Sequence, residues 1–120
     1  MEATPSPAGP MVQGFTATGF RIDGMVYRAA TLTVTSAAAW VPPPLGQLTV
    51  AALQALVDAR PEFIVLGTGP RLVRPSATLT VALEGMNIGL EPMDSRAAAR
   101  AWSVLRGEGR QIAAALYPLD

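Results

Sequence analysis

The feature that most restricts the fold is the unbroken apolar run Phe63-Ile64-Val65-Leu66, which opens after Pro61-Glu62 and stops at Gly67-Thr68-Gly69-Pro70. Short apolar runs that are partly β-branched and bounded by proline and glycine fit a strand covered on both faces better than a half-exposed one. Such a strand belongs inside a sheet with other elements packed above and below it. The loop at the end of a strand of this kind is where α/β sheets place their pockets. The run therefore reads as a buried strand delivering a backbone-rich loop.

What the chain lacks narrows its chemistry. Among 120 residues there is no His, no Cys and no Lys, and all nine basic residues are arginines. A Ser-His relay, a thiolate nucleophile, a Schiff-base amine, a disulfide and a nitrogen or sulfur metal site are thus excluded. Arginine stays protonated, so it clamps anions but is a poor general base. Proton transfer would fall to Asp, Glu or Tyr, and no metal or cofactor is expected. Nine acids balance the nine bases, which removes the basic face that nucleic acids and anionic membranes require. No run of eighteen apolar residues is present, so no membrane insertion is expected. The size fits one cytoplasmic domain with a single core. Residues 1–11, rich in proline and glycine, read as a disordered tail, with one domain over 12–120.

Taken in order, Asp23-Gly24 between two β-prone segments signals a hairpin, because a type I′ turn needs positive φ at both positions. Leu32-Thr33-Val34-Thr35 alternates as a strand, and Pro42-Pro43-Pro44 after Trp40 enforces an extended connection. Thr49 is placed to cap a helix with Val50, Leu53, Leu56 and Val57 on one face, ended by Pro61. Residues 77–84 carry both strand and helix signals; Ser76 as N-cap and Gly85 as a C′ residue favour a helix. Met86 to Leu90 alternates as a strand closed by Glu91-Pro92. Asp94 or Ser95 starts a further helix with Ala98, Ala101, Trp102 and Leu105 as its buried stripe. Residues 111–117 form a last buried strand. Strand and helix alternate after residue 48, which implies an α/β layer sandwich.

Several phrases carry a family resemblance: Gly19-Phe-Arg-Ile-Asp-Gly24, Trp40, Phe63-Ile-Val-Leu-Gly-Thr-Gly69, Met86-Asn-Ile with Glu91 and Met93, Ala97-Ala-Ala-Arg100, and Glu108-Gly-Arg110 leading into Ala113-Ala-Ala-Leu116. From about residue 19 onward the chain resembles the domain-of-unknown-function 498 family, also called the MTH 938-like fold. The resemblance implies a three-layer α/β fold with a central mixed sheet of about five strands, flanking helices and an N-terminal β-hairpin. The family pattern usually has Thr where Ser95 stands and Thr-Tyr-Asn where Ala101-Trp102-Ser103 stands. Bacterial members are uncharacterised and a mitochondrial relative is an assembly factor for respiratory complex I, so the resemblance implies no catalytic set.

The candidate ligand-binding residues are Gly67, Thr68, Gly69, Arg71, Ser95 and Arg100. Gly67-Thr68-Gly69 can present amides and a hydroxyl to a small anion, and Ser95 with Arg96 and Arg100 at a helix start is a second place for negative charge. The loop meets neither stricter pattern: Leu72 stands where a dinucleotide fingerprint needs its third glycine, and a P-loop needs a lysine. The plainer alternative is a tight turn whose glycines only permit positive φ. Arg71 and Arg74 would complete a cradle or keep a loop soluble, Asp94 is a base or an N-cap, and Trp102 suits core packing. The resulting expectation is a non-enzymatic domain that binds a protein partner or itself; the alternative is an anion-binding protein or enzyme using the glycine loop.

Overall fold

The computed structural model describes residues 9–120. Its strands are β1 (Val12–Phe15), β2 (Phe20–Ile22), β3 (Met25–Tyr27), β4 (Ala30–Leu32), β5 (Ala37–Ala39), β6 (Phe63–Gly67), β7 (Gly89–Met93) and β8 (Ala113–Leu116). Its α-helices are α1 (Gln54–Asp58), α2 (Ala77–Glu84) and α3 (Ser95–Gly107), with short 3₁₀ turns at Leu45–Gln47 and Ala51–Leu53. β1, β2 and β3 make a small antiparallel sheet, and the other five strands make a mixed sheet in the order β5-β4-β8-β6-β7. β6 runs parallel to both of its neighbours, while β4 is antiparallel to β5 and β8.

The alternation of side chains along β6 and β8 builds the layers. Val65, Ala114 and Leu116 point into a core shared with Ala98, Ala99 and Trp102 of α3 and with Phe20 and Ile22 of the small sheet. Ile64, Leu66, Ala113, Ala115 and Tyr117 point the other way, against Leu53, Leu56, Leu79 and Leu83. The central strand is therefore buried from Ile64 to Gly67, as its unbroken apolar sequence requires. Alanines on β8 let the helical layers approach the middle of the sheet closely.

Local signals fix the turns. Asp23 and Gly24 both have positive φ, 49° and 83°, giving the expected tight hairpin between β2 and β3. Ser76 caps α2 by accepting the Leu79 amide at 3.2 Å. That segment is a helix, but its terminator is not Gly85, which stays helical at φ −63°. The left-handed residue is Asn87 at φ 61°. Ile88 N–H bonds Leu83 C=O and Asn87 N–H bonds Glu84 C=O, both at 3.0 Å. This is a Schellman cap, with Ile88 and Leu83 supplying its apolar contact. The cap consumes Met86 to Ile88, so β7 begins three residues later than the alternation suggests and runs through Pro92, which an edge strand tolerates.

Three other expectations are corrected. The strand read at residues 32–35 ends at Leu32, because the Thr33 hydroxyl accepts the amides of Thr35 and Ser36, at 3.4 and 3.2 Å, and turns the chain into β5. The helix read from Val50 to Val57 is split where Leu53 leaves helical geometry (φ −111°, ψ 15°). It ends at Arg60, held left-handed at φ 53°, which costs a non-glycine residue on the order of 1 kcal/mol. The buried face of α3 is rotated to Ser95, Ala98, Ala99, Trp102 and Arg106, leaving Ala101 and Leu105 only half-buried. Arg106 belongs to that face because its guanidinium bonds the Arg110 carbonyl. Of the expected tail, residues 1–8 lie outside the described residues. Pro10 is buried and its carbonyl accepts the Trp102 indole N–H at 2.8 Å, so residues 9–11 lie against the domain.

Candidate functional site

The end of β6, the start of α3 and the end of β8 converge at the glycine loop. Ser95, fully buried as the first residue of α3, accepts the Gly69 amide at 2.8 Å and donates to the Tyr117 carbonyl at 2.8 Å. Its own amide bonds the Gly69 carbonyl, and the Tyr117 amide bonds the Gly67 carbonyl. The Thr68 amide goes to the Met93 carbonyl at 2.8 Å. The Thr68 hydroxyl donates to the Arg71 carbonyl at 2.7 Å, with the Met93 carbonyl at 3.2 Å, and accepts the Val73 amide at 3.0 Å. The amides of Thr68 and Gly69 and the hydroxyls of Thr68 and Ser95 are thus engaged within the protein.

The two glycines serve different ends. Gly69 has φ 111°, which suits only glycine. Gly67 lies in β6 and is required by proximity: a Cβ there would stand 2.8 Å from Ser95 Oγ and 2.9 Å from Ser95 Cα. Asp94, not Ser95, caps α3, accepting the Ala97 amide at 2.8 Å. Arg71 and Arg100 are exposed. Arg96 stands 5.7 Å over the Phe15 ring. Trp102 is core, and Trp40 packs edge-on to Tyr117 at 5.1 Å. At the opposite end of β6, Arg110 pairs with Glu62 at 3.0 Å, and this hydrogen bond holds the Glu62 carboxyl below its ordinary value.

Two surface concavities lie elsewhere. One cleft of about 420 Å³ is lined by Val57, Arg60, Pro61, Met86, Asn87 and Ile88. Another of about 370 Å³ lies between residues 46–50 and the start of α2. The sequence signal for the first was present but distributed: it needs two left-handed helix ends brought together in space.

The outer edge of β5 is a further feature that the sequence reading missed. Trp40 N–H bonds Ala29 C=O and Thr33 N–H bonds Ser36 C=O. By the alternation of an antiparallel ladder, Thr31 and Ala38 form the hydrogen-bonded pair between them, so the N–H and C=O groups of Ala37 and Ala39 face away from β4. No described strand pairs on that side. The edge carries only alanines and runs into Val41, 95% exposed. Alanine is a weak strand former, which is why Ala37-Ala38-Ala39 gave no strand signal.

A three-layer arrangement with this strand order and an N-terminal β-meander defines an Mth938-like α/β domain. A solution structure of a Bordetella pertussis protein described as a Mth938-like domain matches with a TM-score of 0.80 and 25% identity, covering 99% of this chain and 92% of that one. The family model for a protein of unknown function, DUF498/DUF598, matches residues 12–117, and the chain belongs to this family. An uncharacterized protein of Rhodobacter capsulatus is 35% identical over 96% of this chain and 90% of its own length. The NADH dehydrogenase [ubiquinone] 1 alpha subcomplex assembly factor 3 of Danio rerio is 31% identical over 92% of this chain. The match spans 66% of that protein's length. Among the described residues no helix is long and apolar enough to cross a membrane.

Proposed function

We propose that this domain is a non-enzymatic, cytoplasmic interaction module that adds a strand from a protein partner, or from a second copy, to the outer edge of β5. The observation that carries this reading is the edge itself. Natural sheets blunt their edges with charge, proline or bulges. β7 has Glu91 and Pro92, whereas β5 has three alanines with outward-facing backbone groups at Ala37 and Ala39. Backbone pairing at a sheet edge supplies affinity without demanding much of the side chains. The kinship with the Danio rerio assembly factor supports the same reading.

Ala39→Pro tests it, because proline deletes an N–H that faces away from β4 and is tolerated at an edge. The variant should keep its melting temperature within a few degrees and lose self-association by light scattering, or capture of a strand-donating partner from the native host's lysate. Equal association by Ala39→Pro and the wild type would reject the edge. The alternative, an anion at Gly67, Thr68 and Gly69 with Ser95, Arg71 and Arg100, would rely on the two exposed arginines, since the Thr68 and Gly69 amides and both hydroxyls already have partners. It predicts stabilisation by phosphate or sulfate that Arg100→Ala abolishes.

A further inference from the structure

The 420 Å³ cleft between the end of α1 and the turn after α2 has a chemical character of its own. Val57, Pro61, Met86 and Ile88 give it apolar walls, with Ile88 buried and Met86 48% exposed. Arg60 and Asn87 are its polar side chains, and no acidic residue lines it. Arg60 takes part in neither of the two ion pairs among the described residues, which join Arg28 to Asp120 and Arg110 to Glu62. The volume lies within the range of small-molecule sites, which are mostly apolar with a few polar groups that orient the ligand.

The backbone adds an independent observation. Arg60 and Asn87 are both left-handed, at φ 53° and 61°. Asn87 is a tolerated choice there, but Arg60 occupies a position where glycine would be unstrained. A long cation thus stands at the cleft where a residue without a side chain would be unstrained. Outliers of this kind cluster where a side chain is needed at one place.

We propose that this cleft binds a small amphiphilic carboxylate, with the apolar tail against Val57, Pro61, Met86 and Ile88 and the carboxylate on the Arg60 guanidinium. Charge complementarity selects the head group, since guanidinium pairs bidentately with carboxylate, and the apolar walls select the tail. The site is separate from the β5 edge, so either proposal stands or falls without the other.

The test is an amide-resolved NMR titration of the full chain with sodium octanoate, using octanol as the tail without the charge and acetate as the charge without the tail. Octanoate should saturably shift the amides of Val57, Met86, Asn87 and Ile88, at least tenfold tighter than either control. Arg60→Gly should fold at least as stably as the wild type, because it relieves the left-handed strain, and should erase the preference for octanoate over octanol. Arg60→Gln should erase it as well while keeping a long side chain. Octanoate shifts located elsewhere, equal affinity for octanol, or retention of the tenfold preference in both variants would each overturn the proposal.

Discussion

Gly67 and Ser95 approach so closely that no side chain fits between them: a Cβ on the glycine would lie 2.8 Å from the serine Oγ. This contact sets how near α3 starts to the end of the central strand. It also lets one hydroxyl bridge the amide of Gly69 and the carbonyl of Tyr117, joining β6, α3 and β8 at a single atom.

Ser95→Ala should therefore be among the costly conservative changes in the chain. Both backbone groups lose their partner in a fully buried place, and each unsatisfied group costs about 1–3 kcal/mol. A loss of roughly 2–4 kcal/mol is expected, read as a lower urea midpoint at unchanged slope.

Gly67→Ala should destabilise by about 1–3 kcal/mol through overpacking. Its cost should fall in a Ser95→Ala background, because the nearest clashing atom is gone, while the contact with Ser95 Cα at 2.9 Å remains. A double-mutant cycle should return a coupling of at least about 0.5 kcal/mol. Strict additivity would show that the helix start shifts freely.

The helix-end assignment after α2 separates two substitutions that the sequence alone would rank the other way. Gly85 is helical, and a Cβ there would meet only ordinary contacts at 3.4 and 3.6 Å. Gly85→Ala should stabilise by about 0.5–1 kcal/mol. Asn87→Ala should destabilise by about 1 kcal/mol, since alanine is strained in the left-handed region. Thermal unfolding of the two variants in opposite directions is the expected result.

Tyr117 gives the stability a pH dependence at the alkaline end. Burial pushes its phenol up from 10.0 to about 12, and its hydroxyl donates to the Pro43 carbonyl at 2.8 Å. The folded state holds the proton where the unfolded chain has released it. The contribution is therefore complete below pH 10 and is lost as pH rises toward 12, at up to about 1.4 kcal/mol per unit from this group. Urea midpoints of wild type and Tyr117→Phe should differ by a constant amount below pH 9 and change relative to one another between pH 10 and 12.

The fold was legible in the sequence where a residue type had one physical use. The run Phe63 to Leu66 fits a doubly covered strand, Asp23-Gly24 a type I′ turn, Ser76 a helix cap, and Asp94 or Ser95 a helix start. Legibility failed where the deciding partner lay outside the local window. The strand at Ala37–Ala39 is imposed by β4, against alanine's own preference, and Asn87 rather than Gly85 ends α2 because Ile88 must reach Leu83. At the glycine loop the sequence left open a tight turn or donors awaiting a ligand. The structure supplies those donors with acceptors from Arg71, Met93 and Tyr117, of which Met93 and Tyr117 lie far along the chain from the loop.

The placement of β8 sets a timetable for synthesis. It lies between β4 and β6 in the sheet, yet residues 113–116 are made after β1 to β7. Until they leave the ribosome, the β4–β5 pair and the β6–β7 pair have no common neighbour and both expose the edges meant for β8. Closure of the sheet is then a late step spanning long sequence separations, of the kind that slows folding and leaves nascent chains open to wrong pairing. A chain stalled before residue 113 should accordingly be a client for chaperones rather than a smaller version of the domain.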